Sequence, residues 1–201
     1  MPTIYAVKPH FQALLRPLCR RMAQAGVSAN QVTLFALLLS LLGGVLVIVA
    51  QSHRFLLLSV PAILFIRMAL NAIDGMLARE HGMQSTLGAI LNEMGDVLSD
   101  SLLYLPFALY PGINPYLIVL LVVLAVMVEM MGVVAVQIGA GRRYDGPLGK
   151  SDRAFLFGLL GLLLALGITP GVWLDLLLLF AVLMSVVTLV NRARRALAET
   201  A

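Results

Sequence analysis

Six apolar segments interrupt an otherwise mixed chain, at roughly 31–50, 55–78, 87–109, 115–139, 154–169 and 172–190. About 20 apolar residues in a helix cross a bilayer core, and each segment but the fifth reaches that length. The fifth is short and is expected to tilt little or to extend into its polar flank. Pro111-Gly112 and Thr169-Pro170-Gly171 mark tight turns between segments. Residues 5–22, YAVKPHFQALLRPLCRRM, alternate Phe11, Leu14, Leu15 and Leu18 with Lys8, Arg16, Arg20 and Arg21. That pattern suits a helix lying in the membrane interface, started or kinked by Pro9 and Pro17. The expected fold is an all-α membrane protein: six transmembrane helices in a bundle, preceded by an N-terminal interfacial amphipathic helix. No repeat or composition break divides it, so residues 1–201 read as one domain. Residues 1–30 form the interfacial helix and lead-in, 31–190 the bundle and 191–201 a cytoplasmic tail.

Composition agrees with that pattern. Of 201 residues 61% are hydrophobic and 12% charged, about half the charge of a soluble domain. The formal charge of +4 does not point to nucleic acid, because the basic residues bracket apolar spans rather than forming one stripe. Lys8, Arg16, Arg20 and Arg21 precede the first segment, Arg79 follows the second, and Arg142, Arg143, Lys150 and Arg153 follow the fourth. Arg192, Arg194 and Arg195 lie in the tail, and the opposite loops carry only Arg54. The positive-inside rule therefore places both termini, and the polar end of segment two, in the cytoplasm. Residues 1–30 show no cleavable signal. The single cysteine, Cys19, excludes an intrachain disulfide and reads as a small apolar filler.

Five of the ten acidic residues fall between Asp74 and Asp100. On segment two, Asn71, Asp74, Gly75 and Ala78 follow i, i+3, i+4, i+7 spacing and share a helix face. On segment three, Gly88, Asn92, Asp96 and Asp100 recur every fourth residue. A short connection, EHGMQST, brings the two stripes side by side. Clustered carboxylate and amide oxygens are what Mg²⁺ or Mn²⁺ takes, usually with a phosphate-bearing substrate. Interhelical hydrogen bonding would explain one such residue. Several acids at matched spacing repel one another and call for a cation.

Asp74-Gly75-x-x-Ala78-Arg79, then eight residues, then Gly88-x-x-x-Asn92-x-x-x-Asp96, closely resembles the signature of the CDP-alcohol phosphatidyltransferases, of the short bacterial type. VSANQVT, Val27 to Thr33, is similar to the family's element at the first helix. The resemblance implies a six-helix membrane fold in the bacterial inner membrane, a homodimer, and a cytoplasmic active site. It implies transfer of a phosphatidyl group from CDP-diacylglycerol to an acceptor alcohol, with release of CMP, in phospholipid biosynthesis. By the same resemblance Asp74 is a metal ligand, Asp96 a ligand and the general base, and Gly75, Ala78, Arg79 and Gly88 line the cytidine diphosphate pocket. The metal is Mg²⁺ or Mn²⁺.

Two signature aspartates are replaced by Asn71 and Asn92, which ligate without charge. The expectation is one tight metal and a weak or absent second, with Glu93 and Asp100 as compensating acids. Lys150 and Arg153, flanked by Gly149 and Asp152, are candidates for a substrate phosphate, with Arg142 and Arg143 serving topology or the same purpose. Arg67 and Glu129 are intramembrane charges and hence functional candidates, or a structural pair. His10, His53 and His81 show no ligand spacing. Two other classes share some features: a catalytically impaired lipid- or nucleotide-binding relative, and a transporter. A transporter predicts charges at the midplane and inverted repeats, whereas these charges gather at one membrane face.

Overall fold

The computed structural model describes the backbone of residues 4–200 and the side chains of residues 10–200. Lys8 of the expected interfacial helix lies outside the described side chains. Among the described residues the chain is all helix: α1 (Ile4–Gln24), α2 (Ala29–Val49), α3 (Ser59–Glu80), α4 (Thr86–Tyr104), α5 (Pro115–Gln137), α6 (Lys150–Ala165) and α7 (Val172–Thr200), with 3₁₀ turns at Arg54–Leu58 and Leu105–Leu109.

Local chemistry sets the boundaries. Ser28 and Gln31 open α2 as a reciprocal capping box: Gln31 N donates to Ser28 Oγ at 3.3 Å and Ser28 N to Gln31 Oε1 at 2.9 Å. Gly82, at φ 67°, turns the chain after α3 in a conformation that L side chains rarely adopt. Ser85 Oγ then accepts from Gly88 N at 2.9 Å to start α4. Asn114 caps α5 ahead of Pro115. In α6, Asp152 accepts from Gly149 N at 2.9 Å, so the helix begins at Lys150, four residues before its apolar run.

Four helical stretches are long and apolar enough to cross a membrane by length and composition: Ala29–Val49, Arg54–Glu80, Pro115–Gln137 and Val172–Thr200. The sequence pattern predicts six. Segment three becomes α4, which carries Glu93, Asp96 and Asp100, and segment five becomes α6, which has 16 residues. The long helices turn large apolar side chains outward, among them Phe35 and Leu38 on α2 and Phe180 and Leu183 on α7. Apolar faces of that extent suit lipid rather than water.

The chain divides into two compact units, Met1–Leu42 with Ile63–Ser99 and Gly43–Ala62 with Asp100–Ala201. In the first, Cys19 of α1, Ala29 and Val32 of α2, and Ile73, Met76 and Leu77 of α3 form a buried core, with Leu15, Met22 and Ala78 packed against it. The α1 helix leaves Leu14 exposed. Its Arg16 forks onto Glu80 at 2.9 and 3.1 Å, and that hydrogen bond, with the attraction between the charges, raises the Arg16 pKa. Burial pushes the Cys19 thiol up. In the second unit α5 packs extensively on α7, and Phe157 of α6 stacks on Tyr104 with ring centroids 4.0 Å apart and lies 5.4 Å from Phe107.

Candidate active site

In the first unit the start of α2, the C-terminal half of α3 and the N-terminal part of α4 converge on the signature residues. Asp74 is buried on α3. Thr33 Oγ lies 3.0 Å from Asp74 Oδ2 and 3.2 Å from the Ala29 carbonyl. The hydroxyl has one hydrogen, and the carboxylate is the stronger acceptor. One turn before Asp74, Asn71 Nδ2 donates to Asp96 Oδ1 at 3.3 Å, so α3 and α4 are joined through the two stripes that the spacing predicted.

Small residues make these approaches sterically open. A Cβ on Gly75 would stand 2.9 Å from Arg79 Nη2, so the guanidinium folds back over the glycine. A Cβ on Gly88 would stand 2.8 Å from Asn30 Oδ1 and 2.9 Å from Ser85 Oγ. Gly95 leaves ordinary contact distance, 3.4 Å, to the Thr33 methyl group. Asn30 and Thr33 are therefore part of the site's wall. Both lie in VSANQVT, but spacing alone assigned neither of them a partner, because each partner is some 40 or more residues away. Ala78 packs against the apolar core; Asn92 is exposed and Glu93 half-buried.

Among the described residues no three His, Cys, Asp or Glu side chains gather as a metal-binding group. The candidate donors that the signature offers on α3 and α4 are two carboxylates, Asp74 and Asp96, with the amides of Asn71 and the exposed Asn92. One or two carboxylates completed by phosphate oxygens and water is the usual Mg²⁺ set. The residues fit one hard cation.

The second unit holds a buried ionic cluster. Arg153 Nη2 lies 3.0 Å from Glu129 Oε1 and 3.4 Å from Asp100 Oδ2. Arg192 Nη1 lies 3.6 Å and Arg142 Nη2 3.7 Å from the other Glu129 oxygen, Oε2. Arg192 also donates to the carbonyls of Val128 at 2.6 Å and Asp145 at 3.2 Å. Arg153 and Arg192 are each 1% exposed. Of these groups the sequence singled out Arg153, Asp100, Arg142 and Glu129; Arg192 read only as a charge in the tail. It is buried because α7 continues to Thr200 and ties down the α5–α6 loop. Arg143 pairs with Glu199, Arg195 with Asp145, and Gly141 N donates to Glu199 at 3.0 Å.

A family model for CDP-alcohol phosphatidyltransferases matches residues 26–191, from the end of α1 into the last turns of α7. Over 200 residues the chain is 49% identical to inner membrane protein YnbA of Escherichia coli K12, covering 99% of this chain and 98% of YnbA. The fold is similar to crystal structures of Mycobacterium tuberculosis phosphatidylinositol phosphate synthase (PgsA1). With manganese and citrate that protein superposes at a TM-score of 0.74 with 19% identity, covering 90% of this chain and 88% of that one. With CDP-DAG bound the TM-score is 0.73 at 18% identity, covering 90% and 92%. By its signature residues and by a match that runs through six of its seven helices, the chain belongs to the CDP-alcohol phosphatidyltransferase family.

Proposed function

We propose that the protein is an inner-membrane phosphatidyltransferase that moves a phosphatidyl group from CDP-diacylglycerol to an acceptor hydroxyl and releases CMP. The observation that carries this reading is the coupling of Asp74 to Thr33 and of Asp96 to Asn71, in the register of the family signature. In the reading, one domain of residues 1–201 crosses the membrane with α2 to α7, pairs with a second copy, and keeps both termini and the site in the cytoplasm. The basic loops support that orientation, and the binding of CDP-DAG and of manganese to the M. tuberculosis synthase supports the donor and the metal.

Asp74 and Asp96, with the amides of Asn71 and Asn92, would hold one Mg²⁺ or Mn²⁺. Bound there, the ion supplies Lewis-acid stabilisation of charge on the diphosphate. Thr33 fixes the rotamer of Asp74. Gly75 lets the Arg79 guanidinium fold back over α3 and Gly88 admits Asn30 and Ser85 beside α4, and Arg79 adds a cation for the diphosphate. Asp96 takes the proton of the acceptor hydroxyl as the new P–O bond forms, and the P–O bond to CMP breaks. The Asn71 amide, donating to Asp96, orients that carboxylate.

Lipid profiling of cells producing the parent or Asp96→Asn tests the reading. One phospholipid class rising with the parent alone is the expected outcome; identical profiles contradict it. Asn71 and Asn92 also favour a second reading, a relative that binds CDP-lipid without turning it over, because two charges of the signature are missing. That reading predicts Mn²⁺ and CDP-diacylglycerol binding with no new lipid.

A further inference from the structure

We propose that the cleft between the end of α1 and the turn after α3, both in the first unit, binds the phosphate group of a small water-soluble molecule and needs no metal to do so. The cleft has a volume of about 480 Å³ and is lined by Arg20, Ala23 and Gln24 of α1 and by His81 and Met83 beyond α3. That volume is in the range of small-molecule sites. Ala23 and Met83 pack against the buried core of the first unit, and His81 N donates to the Leu77 carbonyl at 3.2 Å. Both walls are therefore held in place. Arg20, Gln24 and His81 are exposed. Together they offer a guanidinium fork, an amide and an imidazole, donors that phosphate oxygens accept.

Charge favours an anion there. The Glu80 carboxylate acts on Arg20 and His81 through space, but both its oxygens are held by the Arg16 fork. Arg16, Arg20 and Arg21 outnumber Glu80 by two, which exceeds the roughly one negative charge that the C-terminal ends of α1 and α3 add together. Helix geometry favours a soluble source for the phosphate. Leu14 and Leu18, both exposed, lie one turn apart on α1 and form the side that suits acyl chains. Arg16, Arg20 and Gln24 form a second stripe offset by two residues, about 200° of helix rotation. The cleft thus opens on the side away from the leucines. It does not depend on the transferase reading.

The test is titration of the purified full chain with inorganic phosphate and with ribose 5-phosphate, read by calorimetry at fixed ionic strength. EDTA is present, so that no metal draws phosphate to Asp74 and Asp96. The parent is expected to bind saturably. Arg20→Gln is expected to weaken binding about tenfold or more, the loss of one charge-assisted hydrogen bond. Arg21→Gln removes the same charge outside the cleft and is expected to stay within about twofold of the parent. No saturable binding of either compound by the parent overturns the proposal, as does equal weakening by the two variants. His81→Gln, expected to weaken binding as well, takes the place of Arg20→Gln if that variant fails to fold; parent-like binding by it then overturns the proposal. Phosphatidylglycerol in mixed micelles separates the two sources of phosphate. Binding of that lipid that ribose 5-phosphate competes and Arg20→Gln weakens overturns the soluble source; no such binding agrees with it.

Discussion

At the scale of single residues, the site is decided by which partner each carboxylate has. Thr33 contributes one hydroxyl to Asp74, and a neutral hydrogen bond of that kind contributes about 0.5–1.5 kcal/mol. Thr33→Val, which keeps the shape, is therefore expected to weaken Mn²⁺ binding by about two- to tenfold, measured by electron paramagnetic resonance of free Mn²⁺. Asn71 makes the opposite case. Its amide donates to Asp96, whereas an aspartate there would repel Asp96 unless a cation came between them. Asn71→Asp is expected to raise the stoichiometry from one Mn²⁺ per chain to two, and an unchanged count of one contradicts this assignment. The signature positions, including the two asparagines, were legible in the sequence because their spacing of three and four repeats is a local property of a helix. Thr33 and Asn30 had no assigned partner there, since which α2 side chain meets which α3 or α4 residue depends on how the helices pack. Arg192 looked like one more tail charge for the same reason.

At the scale of elements, close approach is set by glycines that hydropathy does not distinguish. A Cβ on Gly44 would lie 2.1 Å from the Leu102 carbonyl oxygen, and one on Gly161 would lie 2.9 Å from Val60 Cβ and 3.2 Å from the Leu57 carbonyl. The Gly44 clash is with backbone and cannot be relieved by a rotamer change. Gly44→Leu is expected to destabilise by about 1–3 kcal/mol or more, read as a lower melting temperature. The single cysteine supplies the probe: Cys19 is 0% exposed and its thiol is raised by burial. A raised pKa means less thiolate at pH 7 to 8, so folded protein is expected to resist maleimide dyes and to label on unfolding. Rapid labelling of the folded parent would contradict the packing of α1. Helix positions were legible because apolar runs and caps are contiguous in the chain. The 3₁₀ turns at 54–58 and 105–109 were absorbed into segments two and three, because hydropathy does not separate a 3₁₀ turn from an α-turn. The extension of α7 to Thr200 was hidden by its charges, whose partners lie in the α5–α6 loop.

At the scale of the whole molecule, the fold class was legible and the number of crossings was less so. Six apolar segments correspond to α2–α7, yet four stretches qualify by length and composition. The two that do not are the helices that carry chemistry or charge, α4 with its three acids and α6 with Arg153 near its start. A helix that must present carboxylates cannot also be uniformly apolar. Arg153 balances two of the acids of the second unit. Arg153→Met, leaving both carboxylates buried with less compensation, is expected to cost about 3–5 kcal/mol and to lower the melting temperature; a melt within a degree of the parent would contradict a structural role for the cluster. The account as a whole rests on phosphatidyl transfer at Asp74 and Asp96, and the most direct measurement is CMP release from CDP-diacylglycerol in vesicles with Mn²⁺ and a panel of hydroxyl acceptors. The predicted result is acceptor-dependent CMP release by the parent that falls at least about a hundredfold, the usual size of a general acid–base contribution, in Asp96→Asn and is absent in Asp74→Ala. Acceptor-dependent release that persists at the parent rate in both variants, or no release by the parent with any acceptor, would contradict it.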